Sequence, residues 1–579
     1  MVLQATPTTS TGPDAFRYDE KSDFTGGLNL RADQFNIGFN ESPALLNVSV
    51  DPRGGVRRRN GVKRINANAP ATDDEIIKLM THYESGDNNI VAATKAASGT
   101  GLISLYYMAY NGSDMNFSGP LELSSVVFGF KDQVPSSATF NGKTYFSNGG
   151  YVWNITTGVQ IGNSAFSWTG GTDDLVGYTQ AFDGTSSHFP MARYISTWQD
   201  RMFAAHINET DGSNRIRWSS AGDPTTWAAA DYIDVDTGED GDFITAIIPD
   251  GTRLLIFKQN SVYQITGFGS ETFQLRNITR TVGNRDGCQP VAATMGVFFW
   301  YGEEGVYILN QQNLAWAFER IHPALTYDVG QPALTLTNAP SLMWFQEKLW
   351  VSVDYQSDDN LSYSSQDERR NTFMWDPSLG DTGAWVRYDI NARQLLEYRP
   401  SGATHHGIGV TSEINTPAAF TRISRINVET EDVDTYVSTA HEIESYYQTG
   451  WFIGNRPTFP KRWGKTRTVL LADNDLVIDM YIYKDYDLSG WVVPSYYKTV
   501  TGLGSPAVWD TAKWYKSDQE DPAEWAAEGT QDRYLFARWP TIGTAQAISL
   551  RFGNSPTSDK RGKWGLTSVI GMYRTRRLR

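Results

Sequence analysis

Apolar positions along this chain alternate in short runs that end in turn residues, instead of recurring every three or four residues as on a helix. In the opening segment, 23–65, Leu46, Val48 and Val50 alternate with Asn47 and Ser49, which predicts a strand with one buried face. Asp51 to Gly55, "DPRGG", supplies the turn: proline fixes one φ and the glycines permit a positive one. "VRRRNGV" is then expected to return as the partner strand, with Asn60-Gly61 as the next turn. Gly26-Gly27 predicts a close approach of backbone to another element.

The middle of the chain carries a loose repeat: a turn residue, often with Lys or Arg, followed by a short apolar strand. It begins at Asn88, Gly142, Asp200, Thr252, Gly296, Glu347 and Thr404. The spacing is roughly 44 to 58 residues, near that of propeller blades, each a four-stranded sheet. Gly302 to Gly305 is expected to turn "VFFWY" back into "VYIL", and Gln259-Asn260 to turn "LLIF" into "VYQI". Strands such as "VFFWY" are apolar on both faces, as blades sandwiched between neighbours require. Six or seven degenerate blades are predicted.

Beyond about residue 430 the rhythm changes. "TVLLADNDLVIDMYIYKDY" reads as a long hairpin around Asp473-Asn474-Asp475, and "RYLFARW", "AISLRFGN" and "LTSVIGMYR" read as further strands. Asp521 to Glu528 is the one stretch with helical character. The expected organisation is mainly β: a flexible arm over 1–22, an N-terminal hairpin region over 23–70, a β-propeller over 71–430 and a β-sandwich-like platform over 431–579. The hairpin has too little surface to form a core alone, so it is expected to pack on the platform, with the propeller inserted between.

Composition narrows the function. The chain has 579 residues and a net charge of −15, which argues against a general nucleic-acid binder. One cysteine, Cys288, excludes a disulfide framework and a multi-cysteine zinc site. "MVLQATPTTSTGPDAFRYDE" lacks the basic start and apolar run of a signal peptide, and no apolar stretch approaches the roughly 20 residues of a membrane helix.

Three stretches together resemble one family: "GGLN…ESPALLNVSVDPRGGVRRRNGV"; the run from Asn214 through "VYQITG" with the following "VGNRDGCQPVAATMGVFFWYGEEGVYILN"; and "IESYYQTGWFIGNRPTFPKRW" from Ile443. In that order they are similar to the nozzle, or tail-hub, proteins of short-tailed bacteriophages, including tail tubular protein B. The resemblance implies a structural virion protein without catalytic residues or cofactor. It implies a ring, usually a homo-hexamer, below a portal and its adaptor protein. It further implies attached tail fibres or spikes, genomic DNA retained and then passed through the lumen without sequence-specific binding, synthesis in the host cytoplasm and residence in the virion tail. The acidic charge fits a lumen that phosphates slide past.

Candidate chemistry is sparse. Asp234, Asp236, Glu239, Asp240 and Asp242 could wrap a hard cation or line a lumen, but they lack the EF-hand spacing, and a solvated loop is the plain alternative. "SSAGDPTTW", Ser219 to Trp227, resembles a sialidase Asp-box with its Asp misplaced, so a turn capped by Asp223-Pro224 with Trp227 in the core is expected. Glu303-Glu304 on a hairpin turn cannot converge as glycosidase carboxyls do. The seven histidines are scattered; His405-His406 would face opposite sides of a strand. No catalytic or metal set emerges. Arg53, Arg57, Arg58, Arg59, Lys63 and Arg64 near the start, with Arg574, Arg576, Arg577 and Arg579 at the end, suggest a docking face for an acidic neighbour or, more plainly, a charged strand edge. Two other functions remain open: a glycan-binding or glycan-cleaving propeller, and a monomeric propeller scaffold.

Overall fold

In the computed structural model of the chain, the described residues are 17–32, 36–66, 75–84, 87–95, 103–109, 118–122, 135–147, 153–155, 190–207, 209, 212–224, 226–236, 241–323, 335–336, 339–356, 370–380, 382–390, 392–399, 405–411, 422–428, 434–435, 440–441, 443–454, 458–472, 476–487, 496–500, 533–554 and 563–575. They divide into two units. The first comprises Met1–Asn60, Trp375–Tyr388 and Glu442–Arg579; the second comprises Gly61–Met374 and Asp389–His441.

The second unit is a β-propeller. Its antiparallel sheets start with the strands Glu75–Glu84, Ser136–Phe140, Ala192–Trp198, Ile244–Asp250, Val291–Ala293, Ser341–Phe345 and Ala392–Tyr398, here blades 1 to 7. Each first strand packs beside the next, and that of blade 7 packs beside that of blade 1, so the ring closes at seven. Blade 7 takes its fourth strand from a distant part of the sequence: Gly61–Arg64 pairs antiparallel with Arg422–Val428. Asn60-Gly61 is therefore a crossing point between units and not a hairpin turn, since Val56–Arg58 pairs elsewhere.

The seven sequence repeats coincide with the second strands of the seven blades, from Asp87–Lys95 to His406–Thr411. These strands lie mid-sheet with neighbouring blades on both faces, which is why strands such as Gly296–Tyr301 are apolar on both faces. Val297, Phe298, Phe299 and Trp300 are each 0% exposed. The core accordingly lies between blades: Leu255, Phe257 and Val262 of blade 4 form one cluster with Val297, Phe299 and Leu309 of blade 5. The expected hairpins are present, with Tyr301 opposite Gly305 and Phe257 opposite Val262. Trp227 is buried with Phe140 and Met202, its indole N–H donating to the Pro224 carbonyl at 2.8 Å.

The first unit is a β-sandwich. One sheet runs Arg533–Ala545, Lys461–Ala472, Trp564–Thr575, Val56–Arg58, Val48–Val50, with Arg17–Lys21 also pairing to Trp564–Thr575. The other runs Leu45–Leu46, Tyr446–Gln448, Ile548–Asn554, Leu476–Lys484, Tyr496–Val500. Trp539 of the first sheet meets Phe552 of the second at 5.7 Å between ring centres. Two expectations are corrected here. Lys461–Ala472 and Leu476–Lys484 do not form a hairpin: they lie in different sheets. The arm ends sooner than residue 22, because Arg17–Lys21 is a paired strand and Lys21 is 0% exposed. The Asp521–Glu528 stretch lies outside the described residues. The double glycine does mark a close approach: Gly27 has φ +64°, and a Cβ there would sit 2.6 Å from the Trp385 carbonyl oxygen.

Candidate functional site

The cations near the start do not form one surface. Arg53 is exposed at the 51–55 turn and Arg57 lies 3.8 Å from Asp51. Arg58 and Arg59 turn inward, at 3% and 1% exposure. Arg59 donates from Nε to the Asn47 side chain at 2.7 Å and from Nη1 to the Asn60 carbonyl at 2.9 Å, its guanidinium lying 5.9 Å from the Tyr388 ring centre. It pins the opening segment within its own unit, and so leaves the proposed docking face. Lys63 and Arg64 belong to the propeller, on the strand that closes blade 7. Arg574 stands near the end of the strand whose Gly565 faces Arg57, about 30 Å further along at about 3.4 Å per residue. Arg576, Arg577 and Arg579 lie outside the described residues.

A different basic surface does form, on the outward face of the six-stranded sheet. Antiparallel register sets Arg467 directly opposite Arg538, and Arg462 directly opposite Arg574. Lys465 and Arg467 lie on the same exposed side of their strand as Arg462. Among the described residues Arg462, Lys465, Arg467 and Arg538 have no ion-pair or hydrogen-bond partner. Beside them Phe536, 81% exposed, faces Val469. Phe536 and Arg538 stand on Arg533–Ala545, a 13-residue strand that ends the sheet and has one strand neighbour among the described residues. Like charges directly opposite on a sheet are destabilising, so two such pairs favour an anionic occupant of this face. Sequence reasoning found Arg574 alone of these; the others were hidden because register, not spacing, brings them together.

The acidic run is engaged by the chain itself. Asp234 takes a two-pronged contact from Arg215, Nε to Oδ1 at 2.6 Å and Nη2 to Oδ2 at 2.9 Å. Asp236 accepts from the Tyr263 hydroxyl at 2.7 Å and lies 3.2 Å from Arg280. Asp242, 5% exposed, accepts from the Ser261 hydroxyl at 2.8 Å and the Asn260 amide at 3.1 Å, with the Lys258 ammonium 3.6 Å away. Asp234 is held within blade 3, Asp236 links blade 3 to blade 4, and Asp242 is held within blade 4, which corrects their assignment to a cation cradle or an open acidic surface; Glu239 and Asp240 lie outside the described residues. No group of three His, Cys, Asp or Glu poised for a metal occurs among the described residues.

The propeller axis holds a cavity of about 380 Å³, lined from six of the seven blades. Among the described lining residues Glu397 supplies the one carboxylate, and it is contacted by Arg399 and His405 at 3.2 Å. Burial and the Arg425 charge hold the neighbouring His406 down to about 4. Burial pushes the Cys288 thiol up to about 12. Among the described residues no helix is long and apolar enough to cross a membrane, which leaves β-barrel crossing unaddressed.

Fold and strand pairing define the class: a mainly β protein with a seven-bladed propeller and a β-sandwich unit built from both chain ends. No family model and no curated protein matches the chain. Solved structures do align with it. BamB from Moraxella catarrhalis shares 9% identity at TM-score 0.32, over 64% of this chain and 98% of its own. The Trypanosoma rangeli sialidase in complex with sialic acid shares 10% at 0.30, over 93% and 97%. A Bacillus subtilis glycoside hydrolase family 43 arabinoxylan arabinofuranohydrolase shares 10% at 0.25, over 90% and 99%. Two of these three are glycoside-cleaving enzymes, but likeness this slight carries no argument about activity.

Proposed function

We propose that this chain is a structural protein of a short-tailed phage tail, of the nozzle type, acting as a ring of subunits that conducts DNA. The observation that carries the reading is the outward sandwich face. Arg462, Lys465, Arg467 and Arg538, without partners among the described residues, and an exposed Phe536 stand on the sheet whose last strand has one neighbour among the described residues, on a chain of net charge −15. Such a face suits the acidic surface of a second copy: charge complementarity guides the encounter and the aromatic supplies buried area. The ordered sequence resemblance to tail-hub proteins supplies the ring, the adaptor above it and the fibres or spikes as further partners.

Mass measurement of the purified chain tests the assembly: rings of about six at low salt, shifting toward single chains as salt rises. Particles produced without the protein test the role. Tails that stop at the adaptor, or filled heads that leak DNA, are expected; intact tails of normal length overturn the reading. A glycan-binding or glycan-cleaving propeller is the second reading, favoured by the polar axial cavity. Cleavage by two carboxyls roughly 5 to 9 Å apart requires a partner for Glu397, and release of reducing sugar from host polysaccharide would promote it.

A further inference from the structure

The axial cavity contains an ammonium group with almost nothing to neutralise it. Lys78, in the first strand of blade 1, is 9% exposed and lines the cavity. Its Nζ donates to the Gln289 side-chain oxygen at 2.6 Å, and among the described residues that neutral oxygen is its one hydrogen-bond acceptor. An ammonium has three donors, so two remain for the cavity. Burial pushes the group down to about 8, which leaves it charged at neutral pH. The nearby Cys288, raised to about 12, is a neutral thiol there and offers no counter-charge.

The backbone is shaped to deliver this group. Register shifts between Ile76 and Lys78, and again between Ala392 and Gln394, so the first strands of blades 1 and 7 each break step immediately before a polar residue that enters the cavity. Such irregularities re-aim side chains and recur next to sites. The side chains of Gln394 and Ser137, both lining the cavity, have no hydrogen-bond partner among the described residues. The other charges close by are already answered: Arg393 contacts Glu75, and Glu397 contacts Arg399 and His405. A buried cation, unengaged amide and hydroxyl groups, and a volume within the usual range for small-ligand sites describe a receptor for an anion that also carries hydroxyls.

We infer that the axial cavity binds an acidic monosaccharide, its carboxylate or phosphate oxygens on Lys78 and its hydroxyls on Gln394 and Ser137. This goes beyond the ring reading and stands whether or not the chain assembles.

Calorimetric titration of the full chain at neutral pH and low salt, with glucuronate, glucose 6-phosphate and glucose, tests it. Saturable one-to-one binding of either acidic sugar, with at least about tenfold weaker binding of glucose, is expected. Glucuronate alone would identify the carboxylate as the recognised group, and glucose 6-phosphate alone the phosphate. Lys78→Met should weaken the anion at least about tenfold, and Gln394→Ala about threefold or more. Gln394→Ala keeps the question decidable should Lys78→Met fail to fold. Absence of saturable binding for both anions, equal binding of glucose, or unchanged affinity in whichever of these variants folds would overturn the proposal.

Discussion

Lys21 shows how much one side chain can depend on distant parts of the sequence. Its ammonium lies 5.4 Å from the Phe24 ring centre, 5.6 Å from Phe39 and 5.3 Å from Tyr447, and donates to the Glu41 carbonyl at 3.0 Å. Burial pushes its pKa down to about 7, opposed by Asp23, Glu41 and the ring faces. Between about pH 7 and the usual lysine value the unfolded chain holds the proton and the folded chain does not. Stability must therefore rise with pH across that window. Denaturant titrations should show a midpoint rising from pH 7 to 9 in the native chain and a flatter one in Lys21→Met; parallel curves would refute the cage. Cys288 gives a second test at this scale. With its thiol buried and raised to about 12, a thiol reagent at pH 8 should label it after unfolding and leave the native protein untouched. In the sequence Lys21 falls within the expected flexible arm over 1–22. Its cage draws on Tyr447, more than four hundred residues away, and no local pattern carries that information.

At the scale of elements, strands buried on both faces were legible and their partners were not. The second strand of each blade announces itself because two neighbouring blades cover it, and seven such strands fix the repeat. The first strands are shorter on apolar signal, since one edge faces the axial cavity, and they were missed. Pairing failed where chemistry resembled a turn: Asp473-Asn474-Asp475 suits a hairpin, yet the two strands it joins separate into opposite sheets. Asn60-Gly61 misled in the same way. Its true role is to launch Gly61–Arg64 into blade 7, where the Val62 amide donates to Asp434 Oδ1 at 2.9 Å. Asp434→Ala leaves that buried amide unanswered, and a loss of about 1–3 kcal/mol is expected by equilibrium denaturation. No change would mean that the closing strand contributes little to the ring of blades.

At the scale of the whole molecule, charge distribution matters more than total charge. The net −15 concealed a sheet face where cations stand opposite cations. Arg467→Glu with Arg538→Glu keeps a like-charge pair but reverses its sign, leaving an unfavourable surface for an acidic neighbour. Single chains are then expected at salt concentrations where the proposed ring of native subunits assembles, read by light scattering. Arg467→Glu alone should stabilise the isolated chain by about 0.2–1 kcal/mol, since it turns a like-charge pair into an opposite one. Rings persisting unchanged in the double variant would place the interface elsewhere. The sequence disclosed the excess of acid but not this face, because alignment of Arg462, Lys465, Arg467, Arg538 and Arg574 exists only once three strands are in register.

The closing strand of blade 7 also sets a timetable for synthesis. Gly61–Arg64 leaves the ribosome early, while its partner Arg422–Val428 follows after roughly 20 to 70 s at typical elongation rates. Throughout that interval the nascent chain carries an unsatisfied edge that holdase chaperones can occupy. Slowing translation between the two should raise the fraction lost to aggregation.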